Sequence, residues 1–196
     1  AYEKHLEVYD QMVADYEAQL AEQRKAQGVA KINAGNVVAD GMPANVGGGV
    51  TSSTYSVGDA TFMDPDDSFL RYIQNRTDVD ANGYYDIIAH GTPNGMQITH
   101  NGQHIIVDHR TVAKLIQNAN GYNGQGIRLL SCNTGTLDNG FAQNLSNQLN
   151  VEVYAPTNYL WATQDGSYFV AGMTNQGGPN MSDIGSFRVF IPGGNR

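Results

Sequence analysis

The sequence predicts an α/β fold, a mostly parallel sheet flanked by helices, and three observations carry that assignment. Three short apolar runs, 84–89, 126–131 and 151–155, have the length and composition of buried strands. Helix-period segments at 111–119 and 141–149 separate them. Strand, helix, strand, helix, strand in that order implies a parallel sheet, because parallel neighbours need a crossover between them.

From the start of the chain, Tyr2, Leu6, Tyr9, Val13, Tyr16 and Leu20 recur at spacings of four and three. They predict an amphipathic N-terminal helix over 1–28, stopped at Gly28. Its apolar seam needs a partner surface, either the domain or a second copy. Residues 29–56 pass through Asn, Gly, Pro and Ser, with Gly47, Gly48 and Gly49 in succession, and predict a linker. The remaining span, 57–196, is expected to form one domain, and a domain of that size buries enough surface to need neither disulfide nor structural metal.

Within it, Asp67 or Ser68 can cap a short helix reaching Arg76. The strand over Tyr84 to Ala89 ends at His90-Gly91. Asn101-Gly102, between Met96 to Thr99 and His104 to Val107, is a strong hairpin signal. Thr111 to Ala119 presents Val112, Leu115 and Ile116 on one helical face. The strand ending at Cys132 follows, then the helix 141–149 and a strand stopped by Pro156. Trp161 to Val170, with a turn at Asp165-Gly166, and Phe187 to Ile191 add hairpin or edge strands, and 172–185 is expected to be a mobile loop.

Composition excludes several classes. The net charge is -8 with only 11 Lys and Arg, the opposite of the basic clustering that counterion release requires, so nucleic acid is not expected as a partner. No stretch approaches the ~18 consecutive apolar residues of a membrane span. Ala1 to Asp10 lack the basic start and apolar middle of a secretory signal, so export would use another route or a larger parent protein. Cys132 is the single cysteine, which leaves an inert buried thiol or a nucleophile.

In parallel sheets, loops leaving the carboxyl ends of the strands converge on one crevice. His90 and Cys132 both stand at such ends, where an imidazole and a thiol can act as base and nucleophile. The backbone N–H groups of Gly91 and Cys132 would make a two-donor oxyanion hole.

The strand closing on His90-Gly91, the hairpin and helix after it, and Leu129-Leu130-Ser131-Cys132-Asn133 resemble the caspase-like cysteine peptidases of clan CD. The nearest likeness is to the autoprocessing protease domains of large bacterial toxins and to C-terminal modules of polymorphic toxins. The resemblance covers roughly Tyr84 to Ala155, with His preceding Cys. It implies a caspase-like sheet, a cysteine endopeptidase with His90 and Cys132 as its dyad, and no cofactor. It further implies a toxin or effector, secreted or delivered into a target cell, that cleaves its own parent polypeptide or proteins of the target. A cognate inhibitor or immunity protein would be its partner. Leu130 and Ser131 stand where caspases carry Gln-Ala, so Asp specificity at P1 is not implied. The loops after the cysteine strand and the next strand would contribute Ser131, Asn133, Thr157, Asn158 and Trp161 to the substrate cleft. Inositol phosphate, which activates the toxin domains, is not expected to bind, because the basic residues are few and scattered.

Two alternatives stay open: a catalytically silent caspase-like module that binds partners through Trp161 and the N-terminal helix, and a thiol deamidase or acyltransferase on the same dyad. Asp78, Asp80, Asn82, Gly83 and Asp86 also reproduce the first nine positions of a calcium loop, but position twelve is Ala89 where a Glu is required. A solvated Asx turn is the simpler reading of that run. His100, His104 and His109 match no zinc-ligand spacing, and no metal is expected there.

Overall fold

The structure, a computed structural model, describes residues 37–39, 59–64, 66–79, 83–100, 103–119 and 121–194. Among these residues the fold is mixed α/β with more strand than helix. Its centre is a five-stranded sheet of β2 (Asp59–Thr61), β3 (Tyr85–Ile88), β7 (Ile127–Leu130), β8 (Val153–Pro156) and β12 (Phe187–Phe190), in the order β12-β8-β7-β3-β2. The first four are parallel, and β12 closes one edge antiparallel to β8.

β3 and β7 are buried along their whole length, which explains why both read as continuous apolar runs rather than alternating ones. Their alternate residues feed two separate cores. Tyr85, Ile87, Ile127 and Leu129 face one side, where α2 (His109–Gln117) and α3 (Phe141–Leu149) pack through Val112, Ile116, Phe141 and Leu145. Ile88, Leu130 and Cys132 face the other. That side is covered by α1 (Ser68–Ile73), through Phe69, Leu70 and Ile73, and by Leu160, Trp161 and Val170.

The second cover is a four-stranded antiparallel sheet, β1 (Val37–Ala39), β9 (Tyr159–Thr163), β10 (Tyr168–Met173) and β11 (Pro179–Ile184), in the order β1-β9-β10-β11. A smaller three-stranded sheet, β4 (Gly91–Thr92), β5 (Gly95–His100) and β6 (Gln103–Val107), follows His90 directly. β5 and β6 pair from Met96 with Val107 to His100 with Gln103, on either side of the Asn-Gly pair that predicts the hairpin.

The parallel sheet, the hairpin after His90 and the helix 141–149 agree with the sequence reading. Other elements depart from it. The N-terminal helix lies outside the described residues. Within the stretch read as a linker, the β-branched pair Val37-Val38 helps build β1, which pairs with Thr163, Ala162 and Trp161 of β9. Helix α1 stops at Ile73, short of Arg76, whose guanidinium turns inward to Asp86. The predicted mobile loop 172–185 is instead the end of β10 and all of β11; it is polar because β11 is largely exposed on an edge. Helices do not cover both faces alone, since the antiparallel sheet supplies most of one cover. No helix among the described residues is long and apolar enough to cross a membrane.

Candidate active site

The β3–β7 register leads toward His90 and Cys132. In the β3–β7 ladder, Asp86 is opposite Arg128 and Ile88 is opposite Leu130. Side chains on a strand alternate between faces, and continuing that alternation two residues past Ile88 and Leu130 leads to His90 and Cys132. The Ala89 N–H donating to Leu130 O at 3.4 Å carries the ladder past the last paired residues.

The loop after Cys132 is tied down on two sides. Asn133 takes a left-handed conformation (φ 61°), which its short polar side chain tolerates. Its N–H donates to Asn158 O at 2.9 Å, and the Gly135 N–H donates to Pro156 O at 2.8 Å. Thr134 Oγ1 donates to Ser131 O, Thr136 Oγ1 to Thr157 O, and the Phe141 N–H to Pro93 O. Cys132 is thus held between the β8–β9 loop and the β4–β5 turn. Its side chain is fully buried, its sulfur accepts a hydrogen bond from the Leu160 N–H at 3.1 Å, and its thiol donates to Leu160 O at 3.8 Å.

His90 is 3% exposed. Its Nε2 bonds Asp67 Oδ2 at 2.8 Å, and its Nδ1 has no hydrogen-bond partner among the described residues. Asp67 caps α1 at the same time, its Oδ1 accepting from the N–H groups of Phe69 (2.9 Å) and Leu70 (3.4 Å). Sequence reasoning finds the cap but not the contact with His90, which joins residues 23 positions apart. A parallel Asp–His pair lies nearby, His104 Nε2 bonding Asp64 Oδ2 at 2.7 Å.

Gly91 is dictated by close approach. A Cβ there would lie 2.1 Å from Ser131 Oγ and 2.6 Å from Cys132 O. The Gln97 N–H donates to His90 O at 2.8 Å, so the pair 90 and 97 is the hydrogen-bonded one. Gly91, opposite Met96, is then in a non-hydrogen-bonded pair, its N–H turned away from β5. Gly91→Ala is expected to destabilise the protein by ~1–3 kcal/mol through overpacking, because the Cys132 carbonyl as well as the buried Ser131 hydroxyl is in the way. Thermal denaturation checks this, and an unchanged melting temperature would contradict the packing.

Of the residues expected in the cleft, Thr157 and Asn158 are half-buried in the β8–β9 loop and Asn133 is half-buried opposite them. Ser131 is fully buried beneath Gly91, with its hydroxyl lacking a partner among the described residues. Trp161 corrects the expectation: it is fully buried in the core under the antiparallel sheet, with Nε1 donating to Ala171 O at 3.0 Å. It lines neither a cleft nor a partner surface.

The calcium pattern is also answered by geometry. Asp86 is fully buried and receives Arg128 Nε and Nη2, both at 2.6 Å, together with Arg76 Nε at 2.9 Å. Asp78 takes Arg128 Nη1 at 2.9 Å and the Tyr168 hydroxyl. Two guanidinium groups occupy the oxygens a cation would need; Asp80 and Asn82 lie outside the described residues. Burial pushes the Asp78 carboxyl up, but the bonds from Arg128 and Tyr168 outweigh it and hold it below its usual range. Burial likewise opposes the Arg128 charge, and Asp86 more than offsets this. This network lies on the sheet face of Ile88 and Leu130, toward the amino ends of the strands.

A family described as a domain of unknown function (DUF8616) matches residues 58–170, a span that includes Asp67, His90 and Cys132. No curated protein and no solved structure matches the chain.

Proposed function

The chain belongs to the DUF8616 family, and for it we propose a caspase-like cysteine endopeptidase with His90 as base and Cys132 as nucleophile. The observation that supports this reading is the β3–β7 register, in which Ile88 is opposite Leu130, each two residues before His90 and Cys132 at the carboxyl ends of adjacent parallel strands. His90 Nδ1 takes the thiol proton and the thiolate adds to a peptide carbonyl. The amide of Gly91, turned away from β5, donates toward the oxyanion together with the amide of Cys132. The imidazolium then protonates the leaving amine, and water hydrolyses the thioester to regenerate the thiol. No step needs a cofactor. The substrate is a protein, either the parent polypeptide or a target-cell protein, as suits a toxin or effector delivered with a larger protein.

A peptide library followed by a peptidyl electrophile built on the best sequence tests this. The expected result is cleavage at a defined bond and a single adduct on Cys132 that His90→Ala prevents. Labelling independent of His90, with no cleavage, would exclude the reading.

Complete burial of both side chains favours a second reading, a catalytically silent module of the same fold, since buried structural thiols are inert. The two readings part on the same experiment.

A further inference from the structure

Resting on the peptidase reading, we infer that Asp67 is a positioning residue that holds His90 in its Nε2–H tautomer and so makes Nδ1 the atom that receives the Cys132 proton. A carboxylate only accepts hydrogen bonds, so the 2.8 Å contact between Oδ2 and Nε2 puts the imidazole proton on Nε2. The neutral ring then carries its lone pair on Nδ1. That atom is buried without a partner among the described residues, a costly arrangement for a structural histidine. It suits a base whose donor is the thiol on the neighbouring strand.

The pair cannot drift readily. Both side chains are 4% exposed, so water does not compete for them. The other carboxylate oxygen is fixed by the two N–H groups at the start of α1, and the His90 carbonyl is fixed by Gln97. The aspartate is therefore anchored at one oxygen and aims the other. Helix α1, whose Phe69, Leu70 and Ile73 are buried in the core, becomes the mount of the histidine.

Asp67→Asn isolates the effect. Capping requires an oxygen, so the amide must keep Oδ1 toward Phe69 and Leu70 and turn its NH2 toward His90. An NH2 donor at Nε2 demands a bare Nε2 and moves the proton to Nδ1. The full chain is studied by two-dimensional proton–nitrogen correlation of its imidazoles, with His90 assigned by loss of its signals in His90→Gln.

Wild-type protein is expected to show a bare Nδ1 on His90, and Asp67→Asn a bare Nε2, with an unchanged melting temperature. The expected loss in kcat is on the order of 10²- to 10⁴-fold, with little change in KM. Asp67→Ser, which keeps a capping oxygen but is too short for His90, is expected to show a mixture of tautomers and an intermediate kcat. A bare Nε2 in the wild type, or a variant that keeps the wild-type tautomer, overturns the inference even if activity falls. Because the tautomer is read without turnover, a wild-type protein that cleaves no peptide would remove the peptidase reading and leave the positioning result to stand or fall by itself.

Discussion

Cys132→Ala is expected to abolish peptide hydrolysis, and His90→Ala to reduce it nearly as far, each by a factor on the order of 10⁴ to 10⁶ in kcat. Nucleophile and base act as one unit, so the double variant should be no worse than either single one. The structural cost is expected to be small by comparison. Alanine at 132 removes a sulfur from a tight site and leaves the Leu160 N–H without its acceptor, together worth about 1–3 kcal/mol. Cys132→Ser separates the two effects: its hydroxyl can still accept from Leu160, yet it is a far weaker nucleophile. Circular dichroism should show native folds throughout, and substantial cleavage by a folded Cys132→Ala protein would end the proposal.

The largest effect on stability is expected at the opposite end of the same two strands. Arg128 holds Asp86 in a bidentate pair at 2.6 Å on both arms, in a setting where both side chains are almost wholly shielded. Removing one member of a buried pair strands the other. Arg128→Ala is therefore expected to destabilise by ~3–5 kcal/mol, which for a chain of this size lowers the melting temperature by on the order of 10 °C. Arg76 remains to neutralise Asp86 in part, so Arg76→Ala combined with Arg128→Ala should cost more than the sum of the separate effects.

Asp78, on the rim of this network, gives the pH dependence. Its folded value is lowered from 3.8, so its contribution is fully present above that pH and is lost as the pH falls through the folded value. Denaturant titrations between pH 2 and 5 should show Asp78→Asn flattening the acid limb. An unchanged limb would show that Asp78 adds nothing.

The sequence made the central sheet legible because both strand ends carry local punctuation. An apolar run closing on His90-Gly91 and another closing on Ser131-Cys132 are visible within a few residues. Helix 141–149 was equally plain from its period. What escaped was non-local. Asp86 and Asp78 of the calcium-like run are bound by an arginine 42 and 50 positions away, and no local pattern encodes that choice. Trp161 was misplaced because its position beside the expected cleft loop is clear in the chain, whereas the folding of β9 and β10 back over the sheet is not. Residues 172–185 read as a loop because an exposed edge strand has no apolar signature. Asp67 was visible as a cap, but the alignment of its second oxygen with His90 exists only once α1 lies on the sheet.

The main-chain bond from Leu160 to the sulfur sets a kinetic consequence. The thiol is also fully buried, so any electrophile, substrate or reagent, meets Sγ only in a state that exposes it, and its observed rate equals the intrinsic rate multiplied by the population of that state. Each ~1.4 kcal/mol needed to expose the sulfur slows the encounter tenfold. Where reburial is slower than the chemistry, a fast reagent stops reporting on the thiol and reports how often the site opens. The crossover, reached by raising reagent concentration until the rate levels off, measures a local opening from the chemistry of one sulfur atom.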